Sequence, residues 1–101
     1  MTTTFDVLAE PVRRDILDLL RDRERSVGEL VERLSLSQPG VSKHLRVLRE
    51  AGLVEVRPEA QRRWYHLRAE PLAEIDAWLD PYRRLWATRL DALERHLAKE
   101  E

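Results

Sequence analysis

Leu34-Ser-Leu-Ser-Gln-Pro-Gly-Val-Ser-Lys-His-Leu-Arg-Val-Leu-Arg-Glu-Ala-Gly-Leu-Val54 is the stretch that decides the fold of this 101-residue chain. Val41, Leu45 and Leu48 recur at helical spacing and mark one apolar face. At 3.6 residues per turn, Pro39, Ser42, Lys43, Arg46 and Glu50 fall on the opposite, polar face. Ser37 stands where an N-cap belongs, with Pro39 in the first turn. Gly52 falls where a glycine ends a helix, and Leu53 opens an extended run.

Toward the amino terminus, Ser26-Val-Gly-Glu29 has capping-box spacing. It opens a helix whose Val27, Leu30, Val31 and Leu34 form one stripe. Two short helices joined by a tight turn from Ser35 to Ser37 make a helix-turn-helix unit. The second helix is suited to a major groove. Its N-terminal side chains are small, its first amides can meet phosphate, and Lys43 and Arg46 flank it.

Further outward, the pattern predicts a short helix around Phe5 to Ala9, a break at Pro11, and a helix from Val12 to about Asp22. Val12, Ile16, Leu19 and Leu20 would face inward. On the other side, Leu53 to Arg57 and Arg62 to Leu67 alternate as strands, joined by Pro58-Glu-Ala-Gln61. That hairpin would form a wing, with Pro58 limiting pairing on one strand. Arg57, Gln61, Arg62 and Arg63 would reach along a phosphate backbone or into a minor groove, while Tyr65 and Leu67 would pack inward.

The chain resembles the ArsR-type family of winged-helix transcription regulators. The resemblance rests on Leu8-Ala-Glu-Pro-Val-Arg-Arg-Asp-Ile-Leu17, Ser26-Val-Gly-Glu-Leu30, the run from Leu36 to Val54, and Arg62-Arg-Trp-Tyr-His-Leu67. It implies a mainly α, dimeric winged helix-turn-helix with a small β-hairpin wing, which binds an inverted-repeat operator and represses transcription. A glycine is common in the family near position 60; this chain has Ala60.

Length fits a single domain spanning 1–101, with no room for a separate sensor module. No apolar run approaches the roughly 20 residues that span a bilayer, and Met1-Thr-Thr-Thr-Phe5 lacks the basic start and apolar stretch of a signal peptide. A cytoplasmic protein without a membrane partner is expected. The absence of cysteine excludes disulfides and thiolate chemistry. Net charge is −1, yet Leu36 to Arg68 carries seven Lys or Arg against three acids, while both flanking segments are acidic. A locally basic face on an acidic body suits double-stranded DNA as a partner.

From Pro71 onward the sequence is helical, with a break or kink expected at Asp80-Pro81, where Asp80 can cap and Pro81 can start a helix. Ile75, Leu79, Tyr82, Trp86, Leu90, Leu93 and Leu97 follow spacings of four and three, a continuous apolar seam. One helix cannot bury that seam together with Trp78 and Leu85 against so small a domain. Residues 71–101 are therefore expected to form a homodimer interface, aided by Phe5 and Leu8.

A dimer lets two reading helices meet successive major grooves roughly 34 Å apart, so the operator should be an imperfect palindrome. Gln38 and Ser42 are the candidates for base edges. Ser37, Lys43, Arg46 and the wing arginines would position the backbone, and Pro39 belongs to the same DNA-facing set. His44 projects nearer the buried side and fits either a phosphate contact or a bond within the domain.

No catalytic constellation is present: there is no glycine-rich phosphate loop and no cysteine nucleophile, and Ser42 and His44 point in different directions. No cofactor and no metal ligand is expected, and the sequence leaves open which inducer, small molecule or metal, the protein would answer to. Two alternatives stand beside this reading. One is a metal-responsive repressor in which His96 and nearby Asp91 and Glu94 meet across subunits. The other is a winged-helix protein-interaction module without DNA binding, which would tolerate acids or bulky apolar groups where Gln38, Ser42, Lys43 and Arg46 stand.

Overall fold

The computed structural model describes residues 3–99. The order of elements is α1 (Thr4–Leu8), α2 (Pro11–Asp22), β1 (Arg25–Ser26), α3 (Val27–Leu34), α4 (Gln38–Glu50), β2 (Val54–Glu59), β3 (Arg62–Leu67) and α5 (Leu72–Lys99). The ends of the predicted spans, residues 1–2 and 100–101, lie outside the described residues.

Local signals set the helix starts. Thr3 and Asp6 form a reciprocal capping box on α1, and Ser26 and Glu29 form another on α3. The expected break separates α1 from α2, and Pro11 occupies the first position of α2, one residue before the predicted start, where a missing N–H costs nothing. Arg23 braces the second capping box with a 2.6 Å ion pair to Glu29. That guanidinium, and then the Ser26 amide, hold the Glu29 carboxyl below its ordinary 4.5.

The core is one cluster contributed by nearly every element. Val7, Ile16, Leu17, Leu20, Leu30, Val41, Leu45, Leu48, Leu53, Val54 and Tyr65 are buried in it. The predicted inward faces of α2 and α4 are correct, with two refinements on α2: Leu17 is buried, while Val12 and Leu19 pack at its margin. Arg25 is also buried, and its Nε donates to the Leu19 carbonyl at 3.0 Å.

The wing is a three-stranded antiparallel sheet in the order β1-β3-β2. The two-residue strand β1 was not expected; it is too short to show alternation, and only its pairing defines it, Arg25 opposite Tyr65 and Ser26 opposite Trp64. Ser26 is thus both a strand residue and the N-cap of α3, which ties the wing to the helix-turn-helix. Pro58 lies within β2 rather than in the loop, opposite Arg63. β2 is an edge strand, where the absent N–H interrupts no interior ladder. The turn narrows to Ala60 and Gln61, with Ala60 in the left-handed region at φ 53°. Gly52 ends α4 at φ 77°.

The expected break at Asp80-Pro81 is corrected: α5 runs unbroken through Pro81. Asp80 does not cap a second helix. Its carboxylate faces Arg83 and Arg84 along the same helix, at 3.8 and 3.9 Å. Helical propensity on both sides of one proline outweighs the single hydrogen bond it removes. α5 extends away from the body, so the radius of gyration is 18.8 Å, against about 13 Å for a compact domain of this length. None of its described residues is buried.

Candidate nucleic-acid interface

The N-terminal half of α4 presents the polar residues that the sequence selected. Ser37 caps the helix by accepting from the Gly40 amide at 3.2 Å. A Cβ at Gly40 would stand 3.1 Å from that hydroxyl, so a small residue here keeps the cap intact. Gln38, Pro39, Ser42, Lys43 and Arg46 are all exposed, while Val41, Leu45 and Leu48 on the opposite face anchor the helix in the core. The helix is held by its back and shown by its front. The first amides of α4, beyond the one Ser37 takes, point outward with the positive end of the helix dipole.

The wing meets the reading helix. Gln38 shares a cleft of about 340 Å³ with Gln61, Arg62 and Arg63 of the wing and with Ser26, Val27 and Gly28. Candidate residues separated by more than twenty positions therefore form one surface. Within the wing, the Arg62 guanidinium lies 5.9 Å from the centre of the Trp64 ring, a cation–π contact that orients it. Trp64 was not among the residues singled out from sequence. An aromatic two positions from an arginine on one strand face was the available signal.

Two of the predicted phosphate ligands are occupied within the chain. Arg57 donates to Glu24 at 2.8 Å and Glu59 at 3.2 Å, and both contacts hold its guanidinium above the usual range. A phosphate contact from Arg57 would require exchange of these carboxylates. Arg46 pairs with Glu50 at 3.3 Å, but both side chains are largely exposed and such pairs contribute little. At the base of the wing, Glu55 accepts from Arg68 and lies 3.0 Å from the Nε2 of His66. These neighbours hold the Glu55 carboxyl below its ordinary range.

His44 is half-buried. The Nε of Arg13 donates to its Nδ1 at 3.2 Å, while Arg13 also donates to the Val7 carbonyl at 3.4 Å. Arg13 was not found from the sequence, since nothing in a local pattern joins residues 31 positions apart.

The other surface feature is the seam of α5. Tyr82, Leu85, Trp86, Leu90, Leu93 and Leu97 are exposed, as is Phe5 on α1. Ile75 and Leu79 are half-buried, and Leu8 packs against the core, so these three are partly used within the chain. Trp78 lies edge-on to Phe5, with centroids 5.8 Å apart, and 5.0 Å from Tyr82. The two helices expected to share an interface already touch. Among the described residues, no group of three or more His, Asp and Glu side chains could hold a metal ion, and Asp91, Glu94 and Arg95 line a shallow depression. No helix among those residues is long and apolar enough to cross a membrane.

A capped, outward-facing second helix beside an arginine-bearing hairpin defines a winged helix-turn-helix DNA-binding protein. A family described as a helix-turn-helix domain matches residues 8–57. The transcriptional repressor SdpR of Bacillus subtilis is 30% identical over 79 residues, covering 78% of this chain and 88% of that protein. The transcriptional activator HlyU of Vibrio cholerae is 44% identical over 79 residues, covering 78% and 70%. The crystal structure of an ArsR family transcriptional regulator superposes with a TM-score of 0.71 at 29% identity, over 82% of this chain and 86% of that one. This chain belongs to the ArsR family of DNA-binding transcription regulators. Its relatives are regulators rather than enzymes.

Proposed function

We propose that this regulator binds an inverted-repeat operator as a homodimer and represses the adjoining promoter. One observation carries the reading: the exposed polar end of α4 adjoins the wing, while on α5 an apolar seam lies uncovered. The first surface suits a groove and the second suits another copy of itself. The single domain, with residues 71–101 serving dimerisation, follows from the same division. Repression is supported by the SdpR name, whereas HlyU is named an activator.

Within each half-site, Gln38 and Ser42 would contact base edges. Ser37, Pro39, Lys43, Arg46, Arg62 and Arg63, with Gln61, would position the backbone, and Arg57 would join them by releasing Glu24 and Glu59. The test is to select duplexes from a random pool with the wild-type protein and measure binding by fluorescence anisotropy at several salt concentrations. The selected site should be twofold symmetric with half-sites about 10 base pairs apart. Gln38→Ala should relax preference at one base pair, a loss of about 1–3 kcal/mol in discrimination. Lys43→Ala should weaken all sequences alike and reduce the salt slope by about 0.9. Selected sites without symmetry would overturn the dimer on DNA, and an unchanged preference in Gln38→Ala would overturn the base-reading role. Addition of the protein to a transcription reaction from a promoter carrying the site should lower transcript yield; a rise would reverse the sign of regulation.

A further inference from the structure

Arg13 has a consequence for the interface that its position inside the domain conceals. A guanidinium can only donate, so the Nδ1 that receives its Nε–H must carry a lone pair. The mobile proton of the imidazole therefore resides on Nε2. That nitrogen makes no hydrogen bond among the described residues and is not one of the buried polar atoms lacking a partner, so it opens to solvent. It does so from the flank of α4, next to exposed Lys43.

We propose that Arg13 is a positioning residue for DNA binding, which acts by fixing His44 as an Nε2–H donor aimed at a phosphate oxygen of the bound duplex. The proposal deepens the operator-binding reading and rests on it. Arg13 is well placed for the task. Its second contact, to the Val7 carbonyl at the C-terminal end of α1, anchors the guanidinium from the opposite side, so the ring is held from within the domain rather than by solvent. A donor whose tautomer and orientation are set before binding loses less freedom when it meets phosphate.

Two substitutions at His44 separate this role from a merely structural one. Glutamine places an amide N–H where Nε2 stood, whereas asparagine places its amide where Nδ1 stood and can still accept from Arg13. On a duplex selected by the wild-type protein, His44→Gln should bind within a few-fold of wild type. His44→Asn should bind about tenfold more weakly, with the salt slope unchanged, because a neutral imidazole donor releases no counterion from the phosphate it meets. The reverse order would overturn the proposal and leave His44 as an internal acceptor, and equal binding by both would overturn it as well. Arg13→Leu should weaken binding in the wild-type background and add nothing in the His44→Gln background, because the residue acts through the ring. Long-range nitrogen NMR of the imidazole should show Nε2 protonated in the wild type and a tautomer mixture in Arg13→Leu. If that variant does not fold, the His44 pair still decides. A wild-type protein that selects no duplex would overturn the operator reading itself; selection followed by the wrong order of variants overturns this contact alone.

Discussion

Replacing Leu90 by alanine puts the dimer to a quantitative test. Alanine is the best helix former, so the substitution leaves α5 intact as a helix. Within one chain Leu90 has 61% of its surface exposed. Burying an entire leucine side chain contributes about 1.5–3 kcal/mol, so covering the exposed part contributes about 1–2 kcal/mol per copy. A twofold interface counts the residue twice, giving a loss of about 3 kcal/mol per dimer, on the order of a hundredfold in the dissociation constant. Arg84→Ala is the control. It lies across the helix from Tyr82 and Trp86, and its exposed pair with Asp80 contributes little. Sedimentation equilibrium over a wide concentration range would measure all three proteins. Equal dissociation constants for wild type and Leu90→Ala, or a wild type that stays monomeric at micromolar concentration, would refute the assignment of the seam to a second copy. Operator binding should weaken in parallel, since each monomer reaches only one half-site.

The backbone and the second capping box give two further expectations. Gly52 and Ala60 share the left-handed region but differ in side chain. Gly52→Ala should therefore destabilise by about 1–2 kcal/mol, while Ala60→Gly should raise the thermal midpoint by a few degrees. A Cβ at Gly52 meets Pro71 only at ordinary contact distance, 3.7 Å, so the cost is conformational rather than steric crowding. Calorimetry that gave both changes the same sign would contradict this account. Glu29 is depressed in the folded protein by Arg23, so its contribution is present above its ordinary 4.5 and disappears as pH falls through the lower folded value. Glu29→Gln should accordingly be less stable than wild type at neutral pH, with the gap in thermal midpoint narrowing on acidification; a gap that widened as pH fell below the ordinary carboxylate range would contradict that linkage.

Much of the reading interface was legible because its signals are local. Ser37, Pro39 and Gly40 write the start of α4 in consecutive residues, and the stripe of Val41, Leu45 and Leu48 settles which way Gln38, Ser42 and Lys43 face. The seam of α5 was legible for the same reason, as a periodicity within one segment. The errors occurred where local preference and context disagreed. Asp80-Pro81 has every feature of a helix start, yet the surrounding residues carry the helix through it.

Sequence by itself thus determined the types of the elements other than the two-residue β1, the apolar stripes of α2 to α5, and the basic character of the segment from Leu36 to Arg68, all of which follow from spacing and composition along the chain. Tertiary structure alone decided what lies beside what. It paired Arg25 and Ser26 with β3, brought Gln38 to the wing arginines, engaged Arg57 with Glu24, and set Arg13 against His44. These contacts join residues far apart in the chain. Their existence depends on how the packed core orients α2, α4 and the wing, and no residue pattern records that orientation before the core has formed.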